Sequence, residues 1–377
     1  MKIQQLKWSK GNNWQPQGDS ENSIKPNFIL LFGSTGLIKD TQYTDFLKEN
    51  YPGAVMTGCS TSGEICGTEV SDDTLIATLV EFEKTKLEAH SIDISSPDKS
   101  YDLGVGLIKK FDTKDLVHIF VLSDGLNING SKLVEGMRSV TPSNISITGG
   151  LAGDGANFTE TYVIDADGNP TSKVITAIGF YGNNLAIGYG SLGGWDSFGI
   201  DRLVTKSNDN VLYELDNTPA LSLYKSFLGE QAANLPSSGL LFPLSLRSNA
   251  DSTPVVRTIL AIDENKQSLT FAGDIPEGSY VRLMKANFDR LIDGAEEAAK
   301  VSLNGASPDL AILISCVGRK LVLKQMVEEE VEAVQGVIGS NAKITGFYSY
   351  GEIAPFMKEA KCELHNQTMT ITTFKEL

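Results

Sequence analysis

No apolar stretch in this 377-residue chain approaches the roughly 20 residues that a membrane-spanning helix needs. The start, Met1 to Trp8, holds no apolar signal core, which places the expected location in the cytoplasm. Histidine is scarce, with only His90, His118 and His365 to serve a Cys–His mechanism. The four cysteines, Cys59, Cys66, Cys316 and Cys362, form no C-x-x-C pair and match no familiar zinc spacing, so they read as reduced thiols. Neither a P-loop nor a G-x-S-x-G elbow occurs. No dense cluster of Lys and Arg interrupts a formal charge of −15, which argues against nucleic acid or an anionic membrane as partner.

The composition that remains, 41% hydrophobic and 21% charged, is that of an ordinary globular protein. The length predicts two domains. The expected division is a polar arm over 1–26, loosely held, then 27–215 and 216–377, with the junction near Asp216.

Three segments share one grammar of strand, small-residue loop, helix, strand and Thr-Gly. Phe28 to Phe32 leads to Gly33-Ser34, a helix near 41–49 and Thr57-Gly58. Ile119 to Leu122 leads to Ser123-Asp124-Gly125, a helix near 132–139 and Thr148-Gly149. Leu310 to Ile314 leads to Ser315 through Arg319, one long helix over about 320–335 and Thr345-Gly346. Continuous apolar runs joined by helices predict parallel strands buried on both faces. Further helices are expected near 103–111 and 288–303. Strands are expected near 74–83, 86–94, 162–164, 174–180, 185–189, 255–262 and 268–271, and a helix opens after Asn217-Thr218-Pro219. The fold class is therefore α/β with mixed α+β character: repeated strand-helix-strand units with parallel strands, plus antiparallel hairpins, in two domains. Gly188 through Gly193 spells the dinucleotide pattern but is followed by no helix opening, and reads as a bend between strands.

One phrase occurs twice, Thr57 to Ile65 and Thr345 to Ile353, each with two glycines around four residues and a glutamate. In open parallel sheets ligands collect beyond the carboxyl ends of strands, where all the distinctive loops of this chain fall. The candidate ligand-binding residues are accordingly Cys59, Ser60, Thr61, Ser62, Glu64, Asp124, Gly150, Asp154, Cys316, Arg319, Tyr348, Tyr350 and Glu352. Arg319 opens a helix, where the macrodipole gains nothing from a cation, so it should pair with Glu64, Glu352 or a ligand carboxylate. Tyr348 and Tyr350 offer flat faces with hydroxyl tips to a small organic ligand. No catalytic or metal-ligating set is assigned.

These motifs together resemble the FIST family of sensory proteins. The matching pieces are Gly58 to Ile65, Gly149 to Gly155 with Phe158, Ser315 to Arg319, and Gly346 to Glu352, in the order of the family's N-terminal and C-terminal domains. The resemblance implies a non-enzymatic sensor of small molecules such as amino acids, acting on a histidine kinase, chemoreceptor or cyclic-dinucleotide enzyme. Many such relatives carry an attached output domain; none is expected here, so signalling is expected to go through a separate protein. The resemblance also admits haem as cofactor for nitric-oxide sensing, for which His90 and His365 are the accessible axial histidines. A thiol enzyme using Cys59 or Cys316 is the remaining alternative.

Overall fold

The computed structural model describes residues 1–18, 24–249, 252–303, 305, 307–357 and 360–377. Each of the three repeated segments forms a parallel pair with a third, antiparallel strand beside its first member. Phe28–Gly33 lies parallel to Val55–Ser60 and antiparallel to Thr74–Glu81. Leu116–Ser123 is parallel to Ser146–Leu151 and antiparallel to Val174–Tyr181. Leu310–Cys316 is parallel to Lys343–Ser349 and antiparallel to Met369–Glu376. The turn into each third strand carries a non-glycine residue in the left-handed region, at Asp73, Lys173 and Gln367.

The three sheets close into a ring by exchanging strands. The short strand after each repeated loop leaves its own unit and joins the sheet of another. Glu64–Cys66 pairs with Lys343–Ser349, Val163–Ile164 with Val55–Ser60, and Gly351–Pro355 with Ser146–Leu151. A second exchange runs the other way: Lys86–Asp93 completes the second sheet and Leu185–Leu192 the third. The corresponding place in the first sheet is taken by Lys2–Ser9, paired along Thr74–Glu81. Part of the expected loose arm is therefore a sheet strand; Gln5 is buried and its amide donates to the Ile344 carbonyl. Residues 19–23 of that arm lie outside the described residues.

The ring explains why the central strands are apolar on both faces. Alternate residues, among them Phe28, Leu30, Phe32, Phe120, Leu122, Ile312 and Ile314, point inward to one core shared by all three units. The intervening residues face outward under helices: Ile29 and Leu31, Ile119 and Val121, Ala311 and Leu313. Asp40, Asn129 and Asn287 cap the helices Thr41–Asn50, Gly130–Val140 and Phe288–Ser302 with side-chain oxygens.

The repeated Thr-Gly also has a steric cause. An ideal Cβ at Gly58 would lie 1.8 Å from the Leu31 carbonyl oxygen. At Gly149 it would lie 1.8 Å from that of Val121, and at Gly346 1.9 Å from that of Leu313. Each glycine sits against the backbone of its parallel neighbour, and no side chain fits there.

Residues 196–285 build a separate antiparallel sheet, capped by Ala220–Leu228, around their own core of Val204, Leu212, Tyr224, Phe271 and Leu283. Asp216, near which a junction was expected, lies in the turn after Val211–Leu215, inside this inserted unit. The strand expected over 255–262 is two strands, Val255–Arg257 and Ile259–Asp263. The Gly188 motif is, as read, the end of the strand Leu185–Leu192 and a bend at Gly193 and Gly194.

Candidate functional site

The long helix expected after Arg319 is broken. Val317–Leu323 ends at Lys324, whose φ of 54° reverses the chain before Val327–Ile338 begins. On one straight helix Arg319 and Glu330 would stand roughly 16 Å apart; the break brings them together. The Arg319 Nε and Nη2 donate to Glu330 Oε2 at 3.0 and 2.6 Å, and both side chains are fully buried. Nη1 also donates to the Gly193 carbonyl at 2.6 Å and Nη2 to that of Leu291 at 2.8 Å. Glu330 Oε1 accepts from Ser315 and from the Tyr348 hydroxyl, the latter at 2.7 Å. The partner of Arg319 is thus neither Glu64 nor Glu352 but a helix residue. Its signal in the sequence was phase: Glu330 shares the buried face of its helix with Val331 and Val334.

Several of the other candidate residues engage one another at the carboxyl ends of the strands. The Ser62 amide donates to the Tyr348 carbonyl and the Tyr348 amide to the Gly63 carbonyl. Gly153 N–H donates to the Ser60 carbonyl, and the Tyr350 amide to that of Leu151, the residue after Gly150. Ser60 Oγ accepts from the Tyr162 amide, and Ser62 Oγ bonds both backbone groups of Gly155. Asp124 accepts from the amides of Leu126, Asn127 and Lys173, which fixes the loop before Gly130–Val140. Asp154 gathers the amides of Phe158, Thr159 and Glu160 and the Tyr350 hydroxyl. Burial works to raise its pKa, but Tyr350 and these amides together hold it below the ordinary value. Phe158 stacks on Tyr350 at 4.5 Å and covers it from solvent.

Glu64 and Glu352 occupy equivalent positions. Glu64 accepts from Thr61 and from both the amide and hydroxyl of Thr74; Glu352 does so from Ser349 and Thr368. Burial pushes Glu64 up to about 7 and Glu352 up to about 8, against those donors. The stability that neutral carboxyls contribute is full below the unfolded value near 4.5 and is lost as pH rises through 7 to 8. The Glu64→Gln/Glu352→Gln double variant should therefore lose less stability than the parent between pH 5 and pH 8. The difference should be on the order of 6 kcal/mol, summed over the two groups, in denaturant titrations at the two pH values. Parallel curves for parent and variant would contradict the assignment.

Cys59 and Cys316 are buried, and burial pushes both thiols up, the reverse of an activated nucleophile. His118 is buried with its two ring nitrogens against Ser146 and Thr148, at 2.7 and 3.0 Å. His365 is also buried, Nε2 facing the Ala354 carbonyl, whereas His90 is partly exposed and paired with Glu88. Among the described residues no group of His, Cys, Asp and Glu is arranged to hold a metal, and no helix is long and apolar enough to cross a membrane.

A cleft lies elsewhere. It has a volume of about 770 Å³ and separates the inserted unit from the helix Gly130–Val140 and from Phe356, Ala360, Lys361 and Glu363. Ser131, Lys132, Glu135 and Arg138 form one wall; Arg247, Thr253, Arg257 and Asp274 form the other. None of the thirteen residues chosen from the sequence lines it. No local pattern marks these wall residues, because they come from a helix, two strands and loops far apart in the chain.

A FIST N domain matches residues 27–218 and a FIST C domain matches residues 220–355. The chain belongs to the FIST family. FIST domains are associated with sensory signal transduction. An uncharacterized protein of Methanocaldococcus jannaschii is 25% identical over 335 residues. That match covers 81% of this chain and 63% of the relative, so this FIST protein spans less than two thirds of the relative's length. A crystal structure of a cyanuric acid hydrolase from A. caulinodans aligns over 93% of this chain and 90% of its own, at 8% identity. The TM-score of that alignment is 0.35.

Proposed function

We propose that this FIST protein is a non-enzymatic cytoplasmic sensor that binds a small molecule in the cleft between its inserted unit and the second unit of the ring. The cleft is the observation that carries this reading: its volume suits a metabolite-sized ligand, and its walls belong to two bodies joined by adjacent linkers. The first linker is packed against the opening turn of the helix Phe288–Ser302, since a Cβ at Gly194 would lie 1.7 Å from the Arg290 carbonyl oxygen. Arg319 holds that linker through Gly193 and that helix through Leu291. A ligand touching both walls has a direct way to bias the angle between the bodies, and a separate signalling protein such as a histidine kinase, chemoreceptor or cyclic-dinucleotide enzyme would read that angle. The reading requires no cofactor.

Free amino acids are the first ligands to test, because the walls mix acidic and basic groups that suit a zwitterion. Calorimetry against an amino-acid panel should give at least one saturable isotherm. Thr253→Trp, which fills the exposed mouth of the cleft, should weaken it about tenfold or more. Binding that ignores Thr253→Trp would remove the cleft from the account.

A further inference from the structure

We infer that Arg257 is the anion-recognition residue of the cleft and that its ligand presents a singly charged carboxylate. The inference rests on the cleft reading above and adds the ligand's chemistry to it. Arg257 closes the strand Val255–Arg257, lines the cleft and is only 5% exposed. Its Nε donates to the Asp274 carbonyl at 3.2 Å; its Nη1 donates to the carbonyls of Leu364 at 3.0 Å and Val256 at 3.2 Å. All three acceptors are neutral, and among the described residues Nη2 has no hydrogen-bond partner and no carboxylate pairs with the guanidinium.

The nearby acids are engaged elsewhere. The Asp274 side chain accepts from Asn129 at 2.8 Å and lies 3.8 Å from Lys132, and Glu363 pairs with Arg138 at 2.8 Å. Room for the guanidinium is built in. A Cβ at Gly273 would come within 2.9 Å of Nε and 3.1 Å of Cζ. Arg319 supplies the internal comparison, because it is equally buried yet fully matched by Glu330. A buried cation with only neutral acceptors retains most of its desolvation cost, and a planar carboxylate bound to the free edge of the fork offsets it. Burial pulls the Arg257 pKa down to about 10, with Glu363 and Asp274 opposing, so it remains charged at neutral pH. Of the other cations in the walls, Lys132 and Arg138 are paired with Glu135 and Glu363, and Arg247 with Asp201. Arg257 is the buried cation left for a ligand, and a planar, singly charged carboxylate matches its free edge.

Propionate and its neutral isostere propionamide, with sulfate as the multiply charged arm, test this on the full chain by thermal shift and calorimetry. Propionate should raise the melting temperature saturably and the other two should not. Arg257→Met should weaken propionate at least about thirtyfold, and should melt higher than the parent without ligand. Propionamide or sulfate acting as well as propionate overturns the inference, as does an unchanged propionate response in Arg257→Met. Because the isostere comparison uses the parent chain, it stands even if Arg257→Met fails to fold. An amino acid whose binding is blocked by Thr253→Trp but indifferent to Arg257→Met would sink the anion assignment and leave the cleft intact. Indifference to both variants removes the cleft as well.

Discussion

Replacing Glu330 with alanine should cost about 3–5 kcal/mol of stability, the loss expected when one partner of a sealed ion pair is removed. The guanidinium of Arg319 would stay in the interior with two carbonyls and no counter-charge. Tyr348 and Ser315 would lose their acceptor together with it. Arg319→Ala should cost a similar amount, since it strands the Glu330 carboxylate and unties the Gly193 linker from the helix Phe288–Ser302. The Arg319→Met/Glu330→Leu pair should recover much of the loss, because apolar replacement of a whole buried pair is often neutral or stabilising. Urea unfolding of the three variants reads all of this. A single variant within about 1 kcal/mol of the parent would mean that water reaches the pair.

The second large effect is steric. Gly346→Ala would drive a methyl into the Leu313 carbonyl, and Gly149→Ala would do the same at Val121. Neither neighbour is the tip of a flexible side chain; each is backbone at the centre of a sheet. A loss above about 3 kcal/mol, or failure to accumulate folded protein, is expected at both. Gly336→Ala is the control with opposite sign. It lies in the helix Val327–Ile338 with nothing within 4 Å of the added carbon, so it should gain about 1 kcal/mol. Equal behaviour of Gly336→Ala and Gly346→Ala in thermal melts would refute the close-packing argument.

Local pattern carried the fold a long way. The apolar runs at Phe28, Ile119 and Leu310 are parallel strands buried on both faces, as their composition required. Most helices fall within a few residues of their expected bounds. The helix break at Lys324 escaped because no glycine or proline marks it; a lysine takes the positive φ of 54° that ends the helix there. Strand exchange escaped for a different reason. Glu64–Cys66 and Gly351–Pro355 are short, and their partners lie in other units, which hydrophobic periodicity does not reveal.

The site was less readable. The glycine-bracketed phrases are alike because they occupy equivalent corners of the ring, and their Glu64 and Glu352 tie each loop to the turn before a neighbouring strand. Repetition there records symmetry of structure. The cleft has no repeat, and Arg257 sits in a short strand whose neighbours give no hint that the chain withholds its counter-charge.

The exchanged strands also say what the smallest autonomous piece of this protein is. The two stretches that match family domains run over 27–218 and 220–355, and neither includes Lys2–Ser9 or Met369–Glu376. Those outlying strands pair along Thr74–Glu81 and Leu310–Cys316, so trimming to the matched spans would bare two central ladders to aggregation. Splitting at the middle is no gentler, because Glu64–Cys66 would part from Lys343–Ser349 and Ser146–Leu151 from Gly351–Pro355. Cooperativity belongs to the closed circle, and a half-chain inherits no complete share of it.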